Sequence, residues 1–500
     1  MGLLFASLVR SFVAAAPRGR ASLAHALAAG LAIALLAGCA TRPVNPPLAQ
    51  VDRASGYRMA STPGAAQSRD DTFMVLAFSG GGTRAAAFAY GVLEELRSTL
   101  VTIDGKPSRL LDRVDVITGV SGGSFTALSY GLYGEELFDV YEQRFLKRNV
   151  QGELIARFFS PVNWASLWSN GYGRSELAAQ LYDDVLFDGA TFADLARRPG
   201  PFIIVTATDI STGSRLGFVQ GEFDVICSDL SAVHLARAAA ASSAVPLVMS
   251  PVTINNYAGR CGYREPEWMT AMRDVAHASR PAGRALARIK ELESFQDSVH
   301  RPYLHLVDGG LSDNLGMRAV LEAMESIEAS AAYRRSRRID ALKRIVVVVV
   351  NSLSVPKTNW DESERPPNDL MILLKATGVP IDRYSYEAVE LLKDIVARWQ
   401  TIRRLRHEGV LANGADKALA SAADVPDIEL FAINVSFDEL PPGAERDYLN
   451  DLPTSFALSG EQVDRLRAAA GSILRASPEY QRLLRALGTA RSTAGAPPAH

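Results

Sequence analysis

Cysteine is scarce in this chain: three residues in 500. That is too few for a disulfide scaffold or a four-cysteine zinc site. Charge of one sign is lacking as well, with 53 basic against 55 acidic residues and a net charge of −2. Such a balance offers no basic field for phosphates, so nucleic acid is excluded as a partner. Past residue 40 no apolar run is long enough to cross a bilayer. The strongest, Ile345 to Val350, is bounded by Lys343, Arg344 and Asn351 and reads as a buried strand. No internal repeat is found. What is present is 48% apolar and 22% charged residues, the composition of a folded core rather than of a disordered, collagenous or coiled-coil chain. The length suits two or three domains, or one large domain with insertions.

Acidic residues are also missing from positions 1–38, which carry Arg10, Arg18 and Arg20. An apolar run from Ala21 to Ala37 follows, and Leu36-Ala37-Gly38-Cys39 closes it. A basic start, an apolar middle and small residues at the end mark a secretory signal. The ending resembles the bacterial lipobox, in which the cysteine receives a lipid and the preceding residues are removed. Residues 1–38 are therefore expected to be a lipoprotein signal peptide, with Cys39 as the lipidated residue; an uncleaved anchor is the alternative. Removal of three arginines takes the charge from −2 to −5. Ala40 and Thr41 follow with no aspartate, a pattern that favours the outer membrane, facing the periplasm. Residues 39–70, rich in Pro, Ala, Ser and Gly, are expected to be a flexible tether. The tail 488–500 has the same composition and is expected to be disordered.

Between them, strand-like runs alternate with helical patterns. The runs are Phe73 to Phe78, Val114 to Ile117, Phe202 to Ala207, Tyr303 to Val307, Ile345 to Val350 and Leu430 to Val435. Short apolar runs of this kind imply an α/β fold with a mostly parallel sheet covered on both faces. Segments 255–300 and 355–425 are charged, helical in pattern, and read as insertions or caps.

Three strand ends carry candidate chemistry. Gly119-Val120-Ser121-Gly122-Gly123 stands between a strand and a helix. A nucleophilic serine needs such a sharp turn to lift its hydroxyl above the sheet, and flanking glycines permit it. The string alone is a weak signal; its placement strengthens it, and a plain glycine turn is the alternative. Gly80-Gly81-Gly82-Thr83-Arg84 follows the first strand. Consecutive glycines let backbone N–H groups converge on an anion. A P-loop would end in Lys-Ser or Lys-Thr, and a dinucleotide loop would carry a glycine at position 85, which is alanine. An oxyanion hole fits better. Asp308-Gly309-Gly310 ends the Tyr303 strand and presents a carboxylate at the same sheet edge, although Asp-Gly turns are common.

In order and spacing these elements resemble the patatin-like phospholipases, a family of lipid acyl hydrolases. The family's GGGxR loop is matched by Gly80 to Arg84, its GxSxG by Gly119 to Gly123 and its DGG by Asp308 to Gly310. Ala240-Ala241-Ser242-Ser243-Ala244-Val245-Pro246 is similar to the small-residue block between them. The family's glycine after the loop arginine is Ala85 here. The resemblance implies a three-layer α/β/α catalytic core over 71–330, with 331–487 completing or capping it. It implies a Ser121–Asp308 dyad, in which Ser121 attacks the ester and Asp308 accepts its proton. Gly81, Gly82 and Gly122 would form the oxyanion hole, supported by Gly80, Thr83 and Arg84. Gly119, Gly123, Gly309 and Gly310 would shape the turns. It implies no metal and no cofactor, and membrane lipids as substrates.

Other readings stand beside this one: a Ser-His-Asp triad using His305 or His234, a thioesterase or acyltransferase with the same dyad, or a non-catalytic lipid-binding lipoprotein. Cys227 and Cys261 can pair in an oxidising periplasm, clamping the 255–300 insertion. Oligomeric state is left open by the sequence.

Overall fold

Continuous apolar runs belong where both faces of a sheet are covered, and that is where this chain puts them. The computed structural model describes residues 41–63, 71–103, 106–167, 172–275, 282–358, 360–410 and 425–488. The strands are β1 (Thr72–Phe78), β2 (Leu100–Ile103), β3 (Lys106–Arg109), β4 (Val116–Gly119), β5 (Phe202–Asp209), β6 (Arg215–Gly217), β7 (Val252–Asn255), β8 (Tyr303–Val307), β9 (Arg344–Asn351) and β10 (Glu429–Ser436). The main sheet runs β10-β9-β1-β4-β5-β8-β7, with β6 paired to β5. From β10 to β5 all pairings are parallel; the pairings β5–β8, β8–β7 and β5–β6 are antiparallel. All six expected strands form. One starts late: Asp115 uses its carboxylate to accept the Met74 N–H at 2.7 Å, and β4 begins at Val116. β2 and β3 make a separate hairpin.

The helices used below are α1 (Gly82–Ser98), α2 (Gly122–Tyr133), α3 (Leu235–Ser242), α4 (Gly283–Phe295), α5 (Arg318–Ala329), α6 (Asp369–His407) and α7 (Gly460–Ala476). Helix α1 is rich in alanine and buried along nearly its whole length, because small side chains let it lie close to both the sheet and α7. Strand β9, six valines and isoleucines deep in the core, sits between β1 and β10. The C-terminal third thus supplies two strands to the sheet that carries the serine and aspartate motifs.

The tether expectation needs correction. Residues 41–63 are docked onto the core. Arg42 donates to the Thr253 carbonyl at 3.1 Å and pairs with the Asn255 side chain. Asn45 is buried and bonds Ser228 and both backbone groups of Asn255. The N–H groups of Leu48 and Val51 bond the carbonyls of Cys227 and Cys261. Tyr57, 1% exposed, accepts the Ile203 N–H and stacks on Phe202. Composition suggested a linker, but a few anchoring side chains decide the matter. Cys227 and Cys261 are joined as a disulfide, with their Cα atoms 5.4 Å apart, next to this docked strap. The leader, Cys39, His277 and the tail from 489 lie outside the described residues. Among the described residues no helix is long and apolar enough to cross a membrane.

Candidate active site

Both candidate reacting groups stand at the carboxyl edge of the sheet, where open α/β folds place their ligands. Ser121 follows β4 and immediately precedes α2. Its backbone sits at φ 47°, ψ −119°, a conformation that costs a non-glycine residue about 1–3 kcal/mol and is typical of strained functional turns. Three contacts hold it there. Its N–H donates to the Ser242 hydroxyl at 2.9 Å, which in turn donates to the Thr206 carbonyl. Its carbonyl accepts from the Ser124 hydroxyl. As N-cap of α2, it also faces the positive end of the helix dipole.

The Ser121 hydroxyl donates to Oδ2 of Asp308 at 2.9 Å. Oδ1 of Asp308 accepts the Gly310 N–H at 2.8 Å. The backbone of this turn is pinned by bonds from Asp308 N to Ala244 O, from Gly309 N to Ser242 O, and from the Thr208 hydroxyl to Asp308 O. Both side chains are buried. Burial pushes the Asp308 carboxyl up to about 6, against the lowering pull of the Gly310 N–H and the Ser121 hydroxyl. A base poised near neutrality suits proton transfer at neutral pH.

The glycine loop lies against this pair. Gly81 and Gly82 have φ of 138° and 61°, which glycine adopts at no steric cost. A Cβ on Gly122 would come within 2.0 Å of the Gly82 carbonyl oxygen, so the loop and the serine turn touch backbone to backbone. Neighbouring amides are engaged: Gly80 N–H bonds Asn314 O, Thr83 N–H bonds Ser455 O, and Gly123 N–H bonds Ser79 O and Val120 O. The N–H groups of Gly81, Gly82 and Gly122, by contrast, find no acceptor among the described residues. Three donors are left open beside one serine.

Arg84 is not a surface group. It is 3% exposed, and its guanidinium donates to the carbonyls of Ser352 and Leu452, both at 2.8 Å. Burial lowers its pKa to about 10, opposed by the charge of Asp382. It straps the loop to the end of β9 and to the C-terminal segment. Ala85 is buried beside it, its N–H on Gly81 O at 3.4 Å.

The histidines stand apart. His305 pairs with Thr253, His300 with Asp297, and the exposed His234 faces Asp183 at 3.8 Å; His407 is near Asp427. None of these four bonds Ser121 or Asp308, so the triad reading lacks its base. Sequence reasoning missed Asn314, Thr208 and Ser352, and gave Ser242 no role. Asn314, in the same short stretch as Asp308-Gly309-Gly310, was the most findable. A cleft of about 280 Å³ opens behind the aspartate turn, bounded by Gly310, Asn314, Arg318, Glu322 and Tyr384; neither reacting group lines it. Among the described residues no His, Cys, Asp and Glu group is arranged to hold a metal.

Residues 76–321 match the sequence model of the patatin-like phospholipases. The chain carries a patatin-like phospholipase domain. The matched span includes β4, the serine turn and the aspartate turn. No curated protein matches the chain. Among solved structures, it is similar to human GIVD cytosolic phospholipase A2, at 13% identity and a TM-score of 0.41, covering 84% of this chain and 64% of that one. The same enzyme in complex with methyl gamma-linolenyl fluorophosphonate gives 13% identity and 0.39, covering 83% and 59%. The patatin-like chain thus spans about 60% of the length of those structures.

Proposed function

We propose that this protein is a serine lipid acyl hydrolase of the phospholipase or lysophospholipase type, working through a Ser121–Asp308 dyad. The observation that carries the reading is the 2.9 Å bond from the Ser121 hydroxyl to a buried carboxylate, with three unengaged amides beside it. Asp308 takes the serine proton as Ser121 attacks the ester carbonyl. The N–H groups of Gly81, Gly82 and Gly122 hold the oxyanion, each worth about 3–4 kcal/mol in the transition state. The proton passes from Asp308 to the departing alcohol, leaving an acyl-serine. Water, deprotonated by Asp308, then attacks the acyl carbon; the acyl–Oγ bond breaks, Asp308 returns the proton to the Ser121 oxygen, and the fatty acid is released. Cys39 carries the lipid anchor, which keeps the enzyme in the cell envelope beside its membrane-lipid substrates, facing the periplasm. The Cys227–Cys261 bond supports an oxidising compartment.

The test is labelling of the full chain with a fluorophosphonate, followed by peptide mapping. The adduct is expected on Ser121, absent in Ser121→Ala and strongly reduced in Asp308→Asn. Undiminished labelling of Ser121→Ala would overturn the assignment.

A further inference from the structure

The carboxyl edge of the sheet carries more than the dyad. Helix α6 runs antiparallel to the parallel strands. Its far end is fixed at their amino edge, where Arg403 meets Asp427 and Glu429, the first residue of β10. At the other edge the Asn314 side chain bonds Ser385 while the Asn314 carbonyl receives the Gly80 N–H beside the serine. From Ser385 the helix continues sixteen residues back to Asp369, with Pro380 inside that stretch, about 24 Å of helix leading away from the catalytic edge at 1.5 Å per residue. On this overhang Met371, Ile372, Leu373 and Val379 are 43–48% exposed. Near the dyad, Leu247 and Val248 are 46% and 53% exposed, three and four residues past Ala244, whose carbonyl receives the Asp308 N–H.

The docked strap emerges on the same side. Gly119 pairs with Val205, Thr208 with Val307, and β7 pairs Thr253 with His305 and Asn255 with Tyr303. Followed through that register, Thr253 and Asn255 stand five and seven residues beyond the end of β4, about 16–23 Å at 3.3 Å per residue. Arg42 is held on those two residues. The strap then descends to Tyr57 at Ile203, near the amino edge. Only two positions separate Arg42 from Ala40, and one more reaches Cys39. A chain tethered at Cys39 would have a leash of only three residues back from Arg42, and Arg42 is itself held beyond the carboxyl edge.

We propose that the carboxyl edge is the face this protein turns to a lipid bilayer, with the Asp369–Pro380 overhang of α6 entering the interface. The choice of a bilayer as occupant rests on the lipid-hydrolase reading and on where the chain leaves the core. Asp369 and Lys375 balance on the overhang, so insertion is driven by apolar burial, and anionic lipid is not required.

The full chain is reconstituted in phosphatidylcholine vesicles, with an environment-sensitive fluorophore on Ile372→Cys or, as the control, on Leu100→Cys. Leu100 is 39% exposed and follows α1 at the opposite edge. The unsubstituted chain, labelled in parallel, corrects for dye on Cys39. Nitroxide-bearing lipids are expected to quench position 372 at least threefold more than position 100, with melting temperatures unchanged. Equal quenching at the two positions would overturn the proposal. So would a label at 372 that is buried without lipid in a concentration-dependent way, which would mean a second copy covers the helix. The readout needs no turnover. A chain whose Ser121→Ala form still hydrolyses esters would refute the dyad and leave this measurement standing.

Discussion

Replacing Asp308 by Asn should make the protein more stable at alkaline pH while abolishing its activity. Burial lifts this carboxyl from an ordinary 3.8 to about 6, a rise equivalent to about 3 kcal/mol between the protonated and ionised native forms. The sign follows from proton counting. Between pH 4 and 6 the native state keeps a proton that the unfolded chain has released, so stability falls as pH rises through that window. Above pH 6 the whole penalty is in place. Asparagine has no charge to desolvate, retains an oxygen for the Gly310 N–H, and can still meet the Ser121 hydroxyl. Asp308→Asn is therefore expected to be about 2–3 kcal/mol more stable than the parent at pH 8. At pH 4 the gain should shrink to about 0.5 kcal/mol. In a chain of this size that is a few degrees of melting temperature. Calorimetry of both proteins at pH 4, 6 and 8 measures it, other titrating groups cancelling in the difference. A variant equal to or less stable than the parent at pH 8, or a gain independent of pH, would refute the buried, ionised base.

Ester hydrolysis should fall tenfold per pH unit below about pH 6, as the Asp308 base is protonated; a kcat/KM profile flat from pH 4 to 7 would contradict it. His305→Ala and His234→Ala should keep at least half of the parental kcat/KM, since neither touches the dyad, whereas a histidine base would make one of them as damaging as Ser121→Ala. Ser121→Gly, inactive, should gain about 1 kcal/mol of stability in denaturant titration by relieving the positive φ. Arg84→Lys should lower kcat tenfold or more on soluble esters, because one ammonium cannot reach both the Ser352 and Leu452 carbonyls that fix the loop; parental kcat would show that the strap does not set loop geometry. Cys39→Ser should leave the chain without incorporated fatty acid in metabolic labelling, and undiminished incorporation would move the anchor elsewhere.

The parallel half of the sheet was legible because burial on two faces forces a signature, an unbroken apolar run such as Ile345 to Val350, that no surface segment carries. The antiparallel arm was harder. β6 and β7 are three and four residues long, too short for a period, and their pairing is decided by where β8 runs rather than by their own composition. At the candidate site, the glycines and the two candidate reacting groups stand out in the sequence because each is constrained by its own backbone: Ser121 by its turn, Gly81 and Gly82 by their φ, Asp308 by the glycines after it. Asn314, Ser352 and Leu452 act through ordinary carbonyls and amides, and any residue supplies those. Their contribution exists only once β1, β9 and the C-terminal segment meet, so no local pattern announces it. The strap at 41–63 fails for the converse reason. Its Pro- and Ser-rich composition is that of a linker, and what docks it is a handful of distant partners: Asn255 for Asn45, Ile203 for Tyr57 and the Cys227 carbonyl for Leu48. A segment without periodicity can still be fixed when each of its few anchors lands in a prepared place. Here that placement decides on which side of the sheet the chain would meet a membrane.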